Sequence, residues 1–440
     1  MNKLILITIL SFATSVAMAQ DNSATTTQTG DNNAATTDQT GNQNTSSIDQ
    51  NSTVGLSHEA IIQQLGTLNE ASITQTGENN QGAIVQGRTV AVFDRPDGIA
   101  NGNIATLVQS GSNNSGFFGN GGDGAIIFQG YRNGSSINAT ASVTQSGDFG
   151  QVLLIQGSDG SLDGSEATVN QGGLNNVAVV RQGEFSGSSS TNDVAQIEQS
   201  STGENNFAAI LQGRNGQNSS NTEGFIFQGG DSDQATVSQG GDNQYSRILQ
   251  GANGGSSSGN TASVRQPDGF AGNYAFIDQG TNFSGSGASA SVNTATALQT
   301  GLDNRIIVQQ GTTLDGRASA KSTSDGSFIT ATQNGDNNYA YLDQGGNNNT
   351  MNFNQIGNAN YTNLIQEDGG FATITQNGDN NSIKGFESGF YGEFGLSLGG
   401  STLNVTQLGN GNLLMLDQTN GGTATVMQDG MTNTATIIQN

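Results

Sequence analysis

Along most of this chain, polar and apolar residues alternate in short runs that end on glutamine. Counting back by twos from Gln86 gives Ile84, Gly82 and Asn80, and from Gln182 gives Val180, Ala178 and Asn176. From Gln344 the same count gives Leu342, Ala340 and Asn338, and from Gln439 it gives Ile437, Ala435 and Asn433. Side chains alternate across a strand, so the Asn, small residue, aliphatic residue and Gln of each run share one face. Where nothing intervenes the interval is eleven residues, as in Gln333, Gln344, Gln355 and Gln366. Each unit therefore predicts a strand of about six residues and a tight turn.

The unit reads x-Ala-x-Val/Ile-x-Gln-x-Gly-x-x-Asn. It runs through Gln28, Gly30 and Asn33, then Gln39, Gly41 and Asn44, then Gln75, Gly77 and Asn80, then Gln171, Gly173 and Asn176. It returns at Gln333, Gly335 and Asn338, at Gln376 and Gly378, at Gln407, Gly409 and Asn412, and at Gln428, Gly430 and Asn433. Asn349, Asn360 and Gln418 hold the same places in their units. The glycine two places after the glutamine supplies the positive φ of the turn.

Two units form a coil of about 22 residues, and stacked coils place strand on strand about 4.8 Å apart. The expected fold is all-β, a two-sheet parallel β-solenoid of about fifteen coils and roughly 70 Å. Ala and Val/Ile fill a thin core. An inward amide is costly alone, but stacked on its like above and below it satisfies donor and acceptor together. The inward Gln and Asn residues are thus expected to form ladders. A single coil buries too little to stand alone, so stability must come from stacking.

Insertions interrupt the period after Gln86 (Arg88 to Gly102), Gln182, Gln212, Gln250, Gln279 and Gln310. The longest runs from Gly385 to Ser401 and holds Phe386, Phe390, Tyr391 and Phe394. All are expected on one edge, the connection that follows the second strand of a coil. First strands present hydroxyls outward, as at Ser142/Thr144 and Thr373/Thr375. Second strands are apolar outward, as at Ile126/Phe128, Leu153/Ile155, Ala209/Leu211 and Phe225/Phe227. That outward stripe expects cover, either from the insertions or from another protomer or surface.

Composition tests this picture. Only 32% of the 440 residues are hydrophobic and 65 are Gly, which alone would suit disorder, but disorder predicts no period. Lys3, the apolar run from Leu4 to Val16 and Ala17-Met18-Ala19 form a secretory leader over residues 1–19. The repeat domain then covers 20–440. No later segment is long and apolar enough to be a transmembrane helix. Without cysteine, this exported chain has no disulfides to rely on. The net charge of −24, with 12 Lys and Arg, leaves no basic stripe for nucleic acid and favours solubility.

These residues resemble the curlin repeat, the unit of the amyloid fibre subunits that enterobacteria display as curli. The resemblance covers the chain from about Ala24 to Asn440. It implies a secreted subunit that polymerises, with itself and with related curlin subunits, into cell-surface fibres of a Gram-negative bacterium. Such fibres serve adhesion and biofilm matrix, and export uses an outer-membrane secretion apparatus. The family's inward Gln and Asn positions carry over to Gln75, Asn80, Gln86 and their equivalents. This chain is longer than family subunits. It runs from Gln20 almost directly into repeats, where the family carries a Gly-rich segment. The last strand, Thr434 to Gln439, has no cap, so each end is a template for another copy.

No catalytic, cofactor or metal site is expected. A β-helical polysaccharide-cleaving enzyme needs clustered acids with Lys, Arg or His. Here His58 is the only histidine and reads as an incidental exposed residue, while Arg181, Arg247, Arg265 and Arg305 stand singly. The stretch from Ser158 to Glu166 lacks the period of calcium-binding β-rolls and reads as a polar loop. The alternatives to a fibre subunit are a non-polymerising solenoid adhesin, or a protein whose flat hydroxyl face binds glycan or ice.

Overall fold

The structure, a computed structural model, describes residues 21–52, 57–87, 97–114, 124–184, 187–213, 218–252, 255–281, 288–311, 323–385, 395–397, 399–419 and 421–439. The leader predicted over 1–19 lies outside these residues. So do part of the insertion after Gln86 and the aromatic residues Phe386, Phe390, Tyr391 and Phe394.

The chain winds as a parallel two-sheet β-solenoid. Ser23–Thr29 pairs in parallel with Thr45–Ser52, which pairs with Glu70–Gly77, and this first sheet continues to Thr434–Gln439. The second sheet starts with Ala34–Asn42 on Glu59–Thr67 and ends with Thr402–Leu408 on Thr423–Asp429. Among the described residues every strand pairing is parallel, and along both sheets glutamine lies over glutamine, as in Gln28↔Gln50↔Gln75, with Ser397 as the exception in the first sheet. The core is a set of columns rather than layers. Ile48, Ile73, Leu107, Val143 and Val169 stack from the first sheet against Ile62, Ile84, Ile127 and Leu154 from the second, all buried. Alanine columns beside them (Ala71, Ala105, Ala141, Ala167) keep the two sheets close.

The insertions do not keep to one edge. In the first half they lie where the chain passes from the second sheet to the first. There a third, narrow face is built from Ile99–Asn101, Ser135–Ile137, Ser161–Asp163, Ser189–Thr191, Asn218–Ser220 and Gly241–Asp242. In the second half the equivalent strands, Ser256–Ser258, Ser289–Ser291 and Thr323–Asp325, lie on the opposite edge, between the first sheet and the second. The Ser158–Glu166 stretch thus carries a strand of this face. The middle residue of each short strand is small or aliphatic and buried, as at Ala100, Ser136, Ser190, Ser257 and Ser324. The excursion beginning at Gly385 differs again: it splits a first-sheet strand into Ser382–Lys384 and Gly395–Ser397.

The outward faces exchange with the edges. In the first half the second sheet is apolar outside, and Ala83, Val85, Ile126, Phe128 and Ile155 are buried in a separate cluster with Tyr131. In the second half the first sheet takes that role, with Leu249, Tyr341 and Ile365 buried. The apolar stripe is therefore covered in part within the chain itself, while Leu153, Leu211, Phe225 and Phe227 stay half-buried. Among the single arginines, Arg181 pairs with Glu184 at 3.0 Å, the Arg305 guanidinium lies 4.7 Å from the Tyr274 ring centre, and Arg247 bonds the Tyr245 hydroxyl.

Each corner after a third-face strand is turned by a residue with φ near +60°. Gly102, Asn138, Gly164, Asn192 and Asn221 do this in the first half, and Gly259, Gly326 and Asn348 in the second. Val292 holds the same place at φ 53°, where its branched Cβ is strained, and it is 64% exposed. Val292→Asn is expected to stabilise the solenoid by about 1 kcal/mol. A lowered midpoint of chemical unfolding for that variant would refute the strain argument.

Candidate functional site

The inward glutamines form two ladders. In the second sheet, Nε2 of Gln39 donates to Oε1 of Gln64 (2.7 Å), Gln64 to Gln86 (2.9 Å) and Gln86 to Gln129 (2.8 Å). The same bond passes through Gln156, Gln182, Gln212, Gln239, Gln266, Gln299, Gln333, Gln355, Gln376 and Gln407 to Gln428 without a break. The first-sheet ladder runs from Gln28 through Gln50, Gln75, Gln109, Gln145 and Gln171 to Gln344 and Gln366. Gln75 and Gln86, eleven residues apart, are thus rungs of different ladders.

Most rungs are also tied to the backbone. Gln75 Nε2 also donates to the carbonyls of Glu59 (3.0 Å) and Asn80 (3.2 Å), which fixes the side chain against the facing sheet. Every rung donates in the same sense, toward the C-terminal end. At the N-terminal end, therefore, Gln28 and Gln39 present Oε1 with no rung donating to it. At the other end, Gln428 and Gln439 make only backbone contacts through Nε2, to Leu413 and Asn433 and to Thr423. Of these four residues Gln28 is exposed, on a strand exposed throughout (Ser23–Thr29), Gln39 and Gln439 are half-buried, and Gln428 is buried.

One rung is missing. Ser397 stands between Gln366 and Gln418, so these two glutamines, expected in one ladder, do not meet. Gln366 Nε2, Ser397 Oγ and Gln418 Oε1 are all buried without a partner, and the ladder resumes from Gln418 to Gln439 at 2.8 Å.

The asparagines work differently from the glutamines. Asn44 Oδ1 accepts the backbone N–H of Asn69 (3.1 Å), and Asn44 Nδ2 donates to the Gly66 carbonyl of the next coil (3.0 Å). Asn338, Asn360 and Asn412 repeat the first of these bonds on the same edge, with Asn33, Asn80, Asn176 and Asn349 on the other, and Asn433 ends its column with its N–H on Asn412 Oδ1. The column thus passes through the backbone, and from Asn304 through Asn338, Asn360 and Asn381 to Asn412 the expected amide ladder is present as well, each Nδ2 donating to the Oδ1 of the preceding asparagine at 3.0–3.1 Å. The turn glycines Gly30, Gly41, Gly77, Gly173, Gly335, Gly378, Gly409 and Gly430 all have positive φ, from 72° to 126°. All but Gly430, in the last coil, also have no room for a side chain: a Cβ on Gly335 would lie 2.2 Å from the Gly357 carbonyl oxygen.

Three columns members were not foreseen. His58 is buried, not exposed: it stands between Asn33 and Asn80, its N–H donating to Asn33 Oδ1 (3.1 Å) and its Nδ1 accepting from the Asn80 N–H (3.2 Å). That fixes the tautomer, with Nε2–H toward the Asn51 carbonyl (3.3 Å), and burial lowers the imidazole pKa. Asp193 and Asp233 fill asparagine places, accepting the N–H of Thr222 and of Asn260 at 2.9 Å each. Their second oxygens accept hydroxyls, Ser190 and Ser219 for Asp193 and Ser257 for Asp233. Burial pushes both carboxyls up, Asp233 to about 6. On the outward face Asp278 is fully buried and pushed up to about 7 by the same cause, partly offset by Thr281 and Arg247. Neither of its oxygens makes a hydrogen bond of good geometry.

The family model described as Curlin associated repeat matches residues 19–51 and 325–357. Each match spans three rungs, Gln28, Gln39 and Gln50 in one and Gln333, Gln344 and Gln355 in the other. No curated protein matches the chain.

Two outcomes follow from the geometry. Ser397→Gln rejoins the first-sheet ladder and is expected to raise stability by about 1–2 kcal/mol, read as an upward shift of the thermal midpoint. A fall would mean that the site cannot hold the amide. Asp233 and Asp278 bind protons more tightly folded than unfolded. Their contribution is complete below the ordinary carboxyl pKa and is lost as pH rises through about 6 and about 7. His58 acts in the opposite sense, losing its contribution as pH falls below its ordinary value of 6.5. Denaturation midpoints should therefore fall between pH 5 and pH 8, by no more than about 1.4 kcal/mol per pH unit for each linked proton. Asp278→Asn should flatten that slope, and an unchanged slope would exclude Asp278 as its source.

Proposed function

We propose that this chain, which carries the curlin associated repeat at residues 19–51 and 325–357, is a structural subunit of an extracellular curli-like amyloid fibre. Copies add head to tail, and the fibre serves cell adhesion and biofilm matrix on a Gram-negative cell after export through the outer membrane. The observation that carries this reading is the common direction of both ladders. One end of the solenoid presents two glutamine acceptors, Gln28 and Gln39, and the other presents two glutamine donors, Gln428 and Gln439. Head-to-tail contact joins donor to acceptor twice, whereas head-to-head contact opposes acceptor to acceptor.

The end strands add to this. Their backbone N–H and C=O groups form open sheet edges of the kind that recruits another strand. The inward side chains at the ends, Ala24, Ala35, Ala435 and Ile437, are those that interior coils stack. A further copy therefore meets the pattern that each coil meets inside the chain. The interior strands have no such reach, since each is already paired on both sides.

The test is fibrillation of the purified chain lacking residues 1–19. Fibres seen by electron microscopy, a diffraction repeat near 4.8 Å along the fibre axis and abolition of the lag by preformed seeds are expected. A chain that stays monomeric at high concentration while fully folded would refute the proposal.

A further inference from the structure

The outermost strands at the two ends of the solenoid, Ser23–Thr29 and Thr434–Gln439, lie in the same sheet. Between them the chain alternates between the sheets, so the stack holds half a coil more than a whole number of coils. We infer that each copy in a stack is turned by half a revolution about the solenoid axis relative to the copy before it. The inference rests on the head-to-tail reading and adds to it the geometry of the joint.

Consider first a joint that keeps like sheets aligned. Ser23–Thr29 then sits on Thr434–Gln439, and Ala34–Asn42 follows one full coil later. A strand place in the second sheet is skipped, leaving Gln428 and Gln39 about 10 Å apart, twice the strand spacing. Only one ladder continues. With a half-turn, Ser23–Thr29 takes the place above Thr423–Asp429, and Ala34–Asn42 takes the place above Thr434–Gln439. No place is skipped. Gln428 donates to Gln28 and Gln439 to Gln39, while Ala424 meets Ala24 and Ala435 meets Ala35.

The turns point the same way independently. The turn from Gln28 to Asn33 has five steps, with Gly30 at φ 97°. In the half-turn joint it lies on the turn from Gln428 to Asn433, also of five steps, with Gly430 at φ 104°. That turn already continues a column of its own kind, Gly378 at 126° and Gly409 at 87°. Asn433 Oδ1, which no described residue uses, is then placed to accept the Asn33 N–H, as Asn412 Oδ1 accepts the Asn433 N–H at 3.0 Å. With like sheets aligned, the same turn would lie on the path from Gln418 to Gly422. That path is one residue shorter, and its glycine, Gly421, has φ 62°.

The half-turn also aligns the third faces. It brings the edge that carries the short strands in the first half of one copy onto the side that carries them in the second half of the copy before it.

The chain has no cysteine, so introduced thiols report the joint directly. Thr27 on one end strand and Met427 and Ile438 on the two strands at the other end face outward, with Met427 and Ile438 68% and 59% exposed. Neighbouring parallel strands bring Cα atoms within disulfide range. Thr27→Cys chains are mixed with Met427→Cys chains, or with Ile438→Cys chains, assembled and oxidised. The mixed disulfide is expected at least tenfold more abundant in the Met427→Cys mixture. The pair Thr25→Cys and Thr425→Cys, two residues along the same strands, is expected to match it. Predominance of the Ile438→Cys product, or equal yields, would overturn the half-turn while leaving head-to-tail stacking in place. Folded chains that form no sedimenting assembly in any mixture would overturn both.

Discussion

A buried primary amide has two hydrogens and an oxygen to satisfy, and nothing apolar beside it can do so. The solenoid depends on this constraint. A glutamine at a fixed inward place finds its partner only in the coil above and the coil below, so the strands must stack with glutamine on glutamine. A slip of one residue would turn the amides outward and bring in side chains of the opposite face. Replacing one rung leaves a donor in one coil and an acceptor in another without partners, about 1–3 kcal/mol for each orphaned group. Register is thereby held far more tightly than a core of Ala and Ile alone would hold it, since aliphatic columns tolerate sliding.

The asparagine columns show what the constraint requires atom by atom. What must be present at each corner is an acceptor placed to receive the next coil's backbone N–H. Asn33 Oδ1, His58 Nδ1, Asp193 Oδ1, Asp233 Oδ1 and Ser327 Oγ all supply one. Residue type varies while the accepting atom stays in place. Gly150 and Ala139 supply no such acceptor, and the columns lapse there. The aspartates are tolerated because serine hydroxyls from the adjacent third-face strands reach their second oxygen. Asp278 has no such arrangement, and accordingly its carboxyl is pushed up furthest.

Parity made the inward set legible in the sequence, because the same four residue types recur at spacings of two. The parallel sheets, the turn glycines and the glutamine ladders follow from it. Other features left weaker traces. The third-face strands are three residues long, too short for alternation to register, although recurring Ser-Ser and Ser-Ala pairs ahead of an Asn or Gly mark them. His58 lies eight residues after Gln50 rather than five, so spacing concealed its place in the column. Ser397 was hidden because the excursion at Gly385 divides its strand. The change of edge leaves no mark in the spacing: the strand that precedes an insertion lies in the second sheet up to Gln212 and in the first from Gln250.

That reversal bears on what a sheet is in this molecule. The apolar outward face leaves the second sheet after Ala209 and Leu211 and reappears on the first at Phe225 and Phe227, and the insertions move with it. Inside, nothing changes at that point: Gln212 donates to Gln239, Gln228 to Gln250, and the aliphatic columns continue. The two sheets are therefore interchangeable as seen from the core, and the outward residues alone distinguish them. A strand place accepts a strand of either kind, provided Ala, Val/Ile and Gln arrive in register. The same equivalence that lets the chain exchange its faces at mid-length would let a second copy enter on the opposite sheet in the proposed stack.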